Sequence, residues 1–349
     1  MSVSKSVFGS MPDGREVFCY TIENSNEMKV SIITLGATLQ SIVVADKEGA
    51  FEDVLLGFDD VQGYLERSSY QGAVVGPYAN RIGNASFCID SVKYDLIKNE
   101  KDVTCLHSGG EFSYALWNSI IIDSDAVEFS YTSEDGTNGF PGKLTTTVTY
   151  KLGENNDLHI VYKCVSDKKT FINLTNHAYF NLAGYQNGCI TDHILQLNCS
   201  AYTPVDAYSI TTGEIAEVKN TPFDFTVAKC IGDEIDADFE QLKLTGGYDH
   251  NFVIDEADGT LRKCATVLDP KSSRQLHVYT DLPGVQFYAG NFLEGESGKN
   301  NFPMQKRSGF CLETQYYPDT PNKCGFPQCL FDAGEEFSSE TVFIFDTAE

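Results

Sequence analysis

The chain has 349 residues and a formal net charge of −25, because 50 acidic residues outnumber 25 lysines and arginines. Such an acidic protein repels the phosphates of nucleic acids and anionic membrane surfaces, so neither is expected as a partner. Hydrophobic residues make up 42% of the chain and aromatic residues 12%. This composition supports a large core and excludes intrinsic disorder for most of the chain.

Short β-strands separated by turn sequences are predicted along nearly the whole chain. Apolar and polar residues alternate over 144–152 and 158–164, on either side of a hairpin loop at 153–157. Weak helical patterns occur at 69–75 and 232–241. Further strands are predicted at 16–22, 28–34, 39–45, 86–90, 93–97, 118–123, 126–132, 171–182, 284–292 and 309–316. These elements predict an all-β protein, a large antiparallel β-sandwich in which residues 1–349 form one domain.

One predicted strand carries polar residues where a core strand is normally apolar. In the sequence NLTNHAYFNL (173–182), a period of two places His177 at the centre of a polar face. The other members of that face are Asn173, Thr175, Tyr179 and Asn181. An unpaired buried polar group costs roughly 2–7 kcal/mol, so this face predicts a polar cleft or internal hydrogen bonds. Periodicity alone does not distinguish a catalytic histidine from a core histidine bonded to a carbonyl group.

A second strand-like run, GFCLETQYY (309–317), contains one charged residue, Glu313. Alternation places Glu313 on the face opposite Leu312 and Thr314. An ionisable group inside an apolar strand has either a functional role or a structural ion pair, and the pattern leaves both open.

Three shorter segments add candidate polar groups beside glycines. Asn80 and Arg81 come shortly after a Gly-Pro pair. One residue separates His107 from a following Gly-Gly pair, and Asp249 comes shortly after another Gly-Gly pair, at the start of a predicted strand. Each has an ordinary structural explanation, as a surface arginine, a turn histidine or a capping aspartate. The glycine pairs do not match a phosphate-binding loop, since no G-x-x-x-x-G-K-[ST] sequence occurs.

These segments belong to a series of motifs by which the chain resembles the galactose mutarotase (aldose 1-epimerase) family. The motifs occur in the same order over nearly the whole length: YANRIG (78–83), LHSGG (106–110), NLTNHAYFNLAG (173–184), TPVDAYSITTGEI (203–215), TPFDF (221–225), YDHNF (248–252), PGVQFYAGNF (283–292) and CLETQYYPDTPN (311–322). The resemblance implies an antiparallel β-supersandwich, galactose mutarotase-like, with a sugar site on the face of one sheet.

The resemblance also implies roles for individual residues. His177 corresponds to the general acid and Glu313 to the general base of the family. The implied sugar-binding residues are His107, Asn80, Arg81, Asp249 and Gln286, and Tyr179 shares the predicted face of His177. Ser108 stands where many members of the family have glycine, which leaves the shape of that loop open. No metal and no cofactor are expected.

The chemistry implied by the family requires one base and one acid. A base removes the proton of the anomeric hydroxyl O1 of an aldose such as galactose or glucose, and an acid protonates the ring oxygen O5, so that the ring opens and recloses. Three alternatives remain open: a hexose-6-phosphate 1-epimerase, a non-catalytic carbohydrate-binding protein, and a metal-dependent hydrolase. The residues available for a metal are His107, His177, His193, Asp249 and His250, whose spacings match no common metal signature.

The cysteines and the N-terminus indicate the compartment. Eleven cysteines occur without a C-x-x-C pair, as is typical of reduced buried thiols. Neither a signal peptide nor a run of 18 apolar residues is recognisable. We therefore expect a cytoplasmic protein, a monomer or weak homodimer, whose partner is a small sugar.

Overall fold

The computed structural model describes residues 1–66 and 69–348, whose regular structure consists mainly of antiparallel β-sheets connected by loops. The predicted all-β, antiparallel fold class is confirmed. Three large sheets supply most of the strands, and we call them the N-terminal sheet, the central sheet and the site sheet.

The central sheet has nine strands and contains the predicted hairpin. Leu144 pairs with Ser166 and Leu152 pairs with Leu158, and every second residue of Leu144–Leu152 is buried. The predicted alternation is therefore confirmed here. In spatial order the strands are Asn118–Asp123, Ala126–Ser133, Leu144–Leu152, Asp157–Ser166, Glu336–Thr347, Arg274–Thr280, Arg262–Leu268, Ile194–Leu197 and Lys229–Cys230.

The other two large sheets have five strands each. The N-terminal sheet consists of Ser2–Ser10, Glu16–Glu23, Lys29–Ile33, Thr38–Ala45 and Phe51–Asp53, in that order. The site sheet has the spatial order Ala216–Glu217, Ala201–Tyr202, Asp249–Val253, Gly284–Tyr288 and Cys311–Gln315. Phe252, Val285, Phe287 and Leu312 point from the site sheet into the core. The alternate residues, including Asp249, Gln286 and Glu313, therefore lie on its opposite face.

Short elements connect these sheets. Two-stranded ribbons join Val74–Val75 to Thr175–Asn176, Arg81–Ile82 to Cys105–Leu106, Ser86–Ile89 to Val92–Asp95, and Thr170–Phe171 to Leu330–Phe331. The α-helices are Val61–Glu66, Glu111–Tyr114 and Glu240–Thr245. The 3-10 turns are Gly83–Ala85, His107–Gly110, Thr137–Gly139, Ile190–Asp192, Lys299–Asn301 and Thr320–Asn322.

Several predicted elements are wrong or misplaced. The helical pattern at 69–75 is wrong, because Val74–Val75 pairs as a strand with Thr175–Asn176. The pattern at 232–241 begins too early and overlaps the actual helix, Glu240–Thr245, at residues 240 and 241. The sequence also gives no strand at Glu336–Thr347, whose central stretch Val342–Phe343 is buried on successive positions. Tertiary pairing between two neighbouring strands, rather than alternation, determines that element.

The predicted strand 171–182 is also interrupted. The structure has short strands at Thr170–Phe171 and Thr175–Asn176, and all residues from 170 to 182 are buried. Val74–Val75 pairs with the second of these strands, and Phe180 forms isolated bridges to Leu55 and Phe310. Because neighbouring segments cover both faces, the prediction of one polar face and one apolar face does not hold along this segment.

The largest cluster of buried apolar residues includes residues from Tyr20 to Phe345 and draws on all three large sheets, and two smaller clusters accompany it. The site sheet packs against this core through one face, which leaves its other face available for a site. In the described residues, every helix is too short or too polar to cross a bilayer.

Candidate active site

A cavity of about 370 Å³ lies over the outer face of the site sheet. Seven of the eight residues proposed from the sequence line this cavity: Asn80, Arg81, His107, His177, Tyr179, Asp249 and Glu313. The eighth, Gln286, does not line it. The fold thus brings together side chains that are up to 233 positions apart in the sequence, from Asn80 to Glu313 (313 − 80 = 233).

His177 and Glu313 lie close together in the lining of the cavity. The distance between His177 Nε2 and Glu313 Oε1 is 3.7 Å. Both residues are buried, with exposed fractions of 5% and 2%. Glu313 Oε2 has no hydrogen-bond partner among the described residues. A buried carboxylate oxygen without a partner carries a large desolvation cost, so this atom is suited to accept a hydrogen bond from a ligand.

Burial shifts both groups toward their neutral forms. It raises the pKa of Glu313 well above its usual value; the nearby Asp249 adds to this rise and Arg81 opposes it. Burial also lowers the pKa of His177 to about 4, its own backbone carbonyl opposes this fall, and Arg81 adds to it. A carboxyl group and an imidazole with pKa values displaced in opposite directions are typical of proton-transfer sites.

His107 presents a hydrogen-bond donor to the cavity. Its Nδ1 accepts the backbone N–H of Asn80 at 3.1 Å, and its own backbone N–H donates to the Asn80 carbonyl at 3.0 Å. The Nδ1 atom is therefore unprotonated, and the neutral ring carries its hydrogen on Nε2. Burial, the neighbouring His177 and Arg81 lower the pKa of His107 well below its usual value, which keeps the ring neutral.

The backbone at His107 is strained, with φ of +49°, and Ser108 follows with φ of +52°. Left-handed backbone is uncommon for residues other than glycine and occurs often at functional sites. The Ser108 hydroxyl accepts the N–H of Tyr78 at 2.8 Å and donates to its carbonyl at 2.9 Å. These bonds settle the loop shape that the serine left open in the sequence, because they join the loop to the segment that carries Asn80.

Arg81 is held by a carboxylate that the sequence did not identify. Its Nε and Nη2 donate to the two oxygens of Glu100 at 2.9 and 3.0 Å, which is a bidentate pair. The remaining Nη1 lies 3.8 Å from Asp249 Oδ2. This arrangement fixes the guanidinium group above the cavity and leaves Nη1 able to donate to a ligand.

Gln286 acts on the cavity through Asp249. Its Nε2 donates to Asp249 Oδ1 at 2.7 Å, and its Oε1 lies 3.4 Å from Gln315 Nε2. The register of the site sheet explains the position of Gln286: it pairs with Asn251 on one neighbouring strand and with Glu313 on the other. The geometry gives Gln286 a supporting position, whereas the sequence predicted direct contact with a sugar.

Aromatic rings surround His177 and His107 in the cavity. Tyr179 stacks on His177 with ring centroids 5.0 Å apart. Tyr70, which the sequence did not identify, lies 4.9 Å from His107 and 6.2 Å from His177 between ring centroids. Other lining residues that the sequence did not identify are Glu100, Lys101, Ser209, Phe292 and Glu296. They lie in loops, where no periodic pattern in the sequence marks them.

The histidines proposed for a metal site do not assemble into one. His193 Nε2 accepts the backbone N–H of Leu182, and His250 Nε2 lies 3.1 Å from Gln241 Oε1, so both are bonded within the core. In the described part of the chain, one group with metal-binding residue types is compact: the possible ligand atoms of His107, His177 and Glu313 lie within 4.8 Å of one another. This group fits a metal poorly, because His107 carries its hydrogen on Nε2 and has no lone pair left.

Comparisons with known proteins identify the family of the chain. The family model described as aldose 1-epimerase matches residues 19–343. The galactose mutarotase of Bos taurus is 41% identical over 350 residues, which cover 100% of both chains. The aldose 1-epimerase of Escherichia coli K12 is 37% identical over 337 residues and 96% of each chain. The crystal structure of galactose 1-epimerase from Lactobacillus acidophilus NCFM has a TM-score of 0.88 at 27% identity and covers 100% of both chains.

Proposed function

The chain belongs to the aldose 1-epimerase family, and on this premise we propose that it is an isomerase that interconverts the α and β anomers of free hexoses such as galactose and glucose. In this reaction Glu313 is the base on O1–H and His177 is the acid that protonates O5. One observation supports these roles most strongly: the two groups lie 3.7 Å apart inside the cavity, and Glu313 keeps an oxygen without a partner in the described residues.

The reaction moves two protons and leaves the protein unchanged. Glu313 removes the O1 proton as electrons move into the C1–O1 bond, and His177 donates a proton to O5 as the C1–O5 bond breaks. Rotation about the C1–C2 bond then presents the other face of the carbonyl group. Reclosure reverses the steps: His177 takes the proton back from O5, and Glu313 returns its proton to O1. Each group contributes typically about 10²–10⁴ to the rate.

His177 and Glu313 share one dissociable proton, which can reside on either residue. With the proton on His177, the carboxylate and the imidazolium are ready to open the ring. With the proton on Glu313, the pair has the state that ring opening produces. Burial favours the neutral placement, whereas a sugar hydroxyl that donates to the carboxylate favours the charged one. The two placements are thus brought closer in free energy, which favours transfer in both directions.

The surrounding polar groups orient the sugar. Arg81, Asp249 and Asn80 line the cavity and can bind hydroxyl groups, and His107 donates from Nε2. Glu100 holds Arg81 and Gln286 holds Asp249, so these groups are fixed before the sugar binds. Such fixed contacts place O1 at the base and O5 at the acid, and they lower the entropic cost of reaching the transition state.

The charge of the cavity favours a neutral sugar over a hexose phosphate. Among the described residues, its cations are Arg81, which Glu100 already engages, and Lys101; its carboxylates are Glu100, Asp249, Glu296 and Glu313. A phosphate dianion requires several free arginines or lysines, and repulsion from these carboxylates disfavours it.

The remaining proposals concern the whole chain. We propose a single domain over residues 1–349, supported by the continuous core from Tyr20 to Phe345. We propose a cytoplasmic monomer or weak homodimer without nucleic-acid or membrane partners. The 11 unpaired cysteines support a reducing compartment, and the charge of −25 supports the absence of anionic partners.

Polarimetry of freshly dissolved α-D-galactose, α-D-glucose and α-D-glucose 6-phosphate tests the proposed function. We expect accelerated mutarotation of the free hexoses, unchanged by a metal chelator, and much slower acceleration with the phosphate. Sugar binding without any acceleration contradicts the proposal and identifies a carbohydrate-binding protein. Faster turnover of the phosphate contradicts the choice of substrate.

A further inference from the structure

Both ring nitrogens of His177 face the same strand of the site sheet, Cys311–Gln315. The distance from Nδ1 to Cys311 Sγ is 3.5 Å, and the distance from Nε2 to Glu313 Oε1 is 3.7 Å. Cys311 and Glu313 are two positions apart and therefore share one face of this strand. The strand Cys311–Gln315 thus places a side chain next to each ring nitrogen: the Cys311 sulfur next to Nδ1 and the Glu313 carboxyl group next to Nε2.

From this geometry we propose that Cys311 is a positioning residue, which accepts a hydrogen bond from Nδ1–H of His177 and thereby reserves Nε2 for the catalytic proton. The inference rests on the proposed role of His177 as the acid. When Nε2 gives its proton to O5, Nδ1–H stays bound to sulfur, and Nε2 is left with the lone pair that takes the proton back. No exchange of tautomers is needed between ring opening and reclosure.

The chemistry of the thiol suits this role. Burial, together with Glu313 and Asp249, raises the pKa of Cys311 well above its usual value, so the sulfur stays protonated and neutral. The Tyr179 side chain also hydrogen bonds the thiol. A second carboxylate beside Nδ1 would stabilise the imidazolium and raise the pKa of His177. A neutral sulfur fixes the direction of Nδ1–H but stabilises the charge only weakly, which keeps His177 a ready proton donor.

Other groups around His177 do not replace this contact. The stacked rings of Tyr179 and Tyr70 cover its faces, and His107 approaches at a ring-centroid distance of 5.2 Å. Arg81 acts on the ring through its charge and lowers the pKa of His177. Among the described residues, the titratable and charged groups that face the ring from the surrounding elements are thus Tyr70, Arg81, His107, Tyr179, Cys311 and Glu313. Of these, Cys311 is the group within hydrogen-bond distance of Nδ1.

The tautomer of His177 tests the inference directly. In protein labelled with ¹⁵N-histidine, the His177 ring signals are those missing from His177→Asn. At neutral pH we expect a protonated Nδ1 and an unprotonated Nε2 in the wild-type protein, and a mixture of both tautomers in Cys311→Ala. We also expect Cys311→Ala to lower kcat roughly fivefold, which corresponds to about 1 kcal/mol of transition-state free energy, with KM unchanged.

Two further variants complete the test. Cys264→Ala is the matched control, because Cys264 is equally buried but donates to the Val278 carbonyl in the central sheet; it should keep the wild-type tautomer and kcat. Cys311→Ser keeps a hydrogen-bond acceptor at the same place. Since oxygen accepts more strongly than sulfur, the acidic limb of the pH–rate profile should move up by about half a unit.

An unprotonated Nδ1 in the wild-type protein overturns the inference. So does a Cys311→Ala protein with the wild-type tautomer and kcat. If Cys311→Ala does not fold, an unmoved acidic limb in Cys311→Ser has the same meaning. Failure of the proposed function is a separate result: a wild-type protein that accelerates no mutarotation while its Nδ1 is protonated contradicts the reaction and leaves the contact between Cys311 and His177 in place.

Discussion

Two regions of this chain place polar residues on strands, and the environment of these residues differs. In Leu144–Leu152 of the central sheet, the buried alternate positions are apolar except for Thr146, and Thr145 and Lys151 on the other face are exposed to solvent. In the segment from 170 to 182, polar residues are buried on both faces. Asn181 donates to the carbonyl groups of Gly188 and Ser308, whereas His177 lies in the cavity.

The comparison shows what a polar residue on a strand signifies. Where one face of a sheet meets water, a polar residue there costs little free energy and carries little information about function. Where both faces are covered, each polar residue needs a partner. Asn173 and Asn181 find theirs in backbone groups, while Glu313 and His177 leave hydrogen-bonding capacity for a ligand. Buried polar atoms without a partner also occur at Thr175 and Asn176, so unfilled capacity inside the cavity, rather than polarity itself, marks the site.

The largest expected effect comes from removing the base. Glu313→Gln keeps the shape of the side chain but cannot accept the O1 proton, so kcat should fall by about 10³-fold while the protein stays folded. Glu128→Gln in Ala126–Ser133 of the central sheet is the matched control and should keep wild-type kcat. Polarimetry measures both rates, and far-UV circular dichroism verifies the fold. A wild-type kcat in Glu313→Gln would mean that Glu313 matters no more to the reaction than Glu128 of the central sheet.

The pH dependence should report the shared proton. Gain of a second proton by the pair gives an acidic limb near the pKa of His177, about 4. Loss of the last proton gives an alkaline limb, which the raised pKa of Glu313 places well above the usual carboxyl range. Because the charge of Asp249 contributes to that rise, Asp249→Asn should move the alkaline limb of kcat/KM to lower pH. A limb that stays in place or moves up contradicts the shared-proton description.

A smaller effect is expected for a polar residue that has all its partners in the protein. Asn181→Ala removes the side-chain donor from the buried carbonyl group of Ser308 and the half-buried one of Gly188, and it should lower the free energy of unfolding by about 2 kcal/mol, with kcat retained. Thr145→Ala in the central sheet should cost less than about 1 kcal/mol. Urea denaturation measures both. Equal losses for the two variants would contradict the distinction between buried and solvated polar residues.

The sequence predicts those parts of the fold in which local pattern and solvent exposure coincide. The hairpin from 144 to 164 is an example. It does not predict Glu336–Thr347, because that strand lies between two others and its apolar run is buried on both faces near its centre. The pattern at 69–75 is misread because pairing with Thr175–Asn176 overrides local propensity.

In the candidate site, too, some features follow from the sequence and others depend on tertiary structure. The motifs identify His107, His177 and Glu313 as candidate site residues, and in the structure all three line one cavity. They do not reveal that Gln286 donates a hydrogen bond to Asp249, because that contact depends on the register of the sheet. Glu100 is equally invisible in the sequence, because it lies in a charged loop and a partner 19 positions earlier, Arg81, defines its role.

We propose that Glu313 and His177 work as one proton-transferring pair, and a double-mutant cycle is the decisive experiment. Polarimetric rates with α-D-galactose are needed for Glu313→Gln, His177→Asn, the double variant and the wild-type protein. Groups that act as a unit are strongly non-additive, so we expect the double variant to be about as slow as the slower single variant. A double variant whose loss in rate equals the product of the two single losses would show that the two groups act independently.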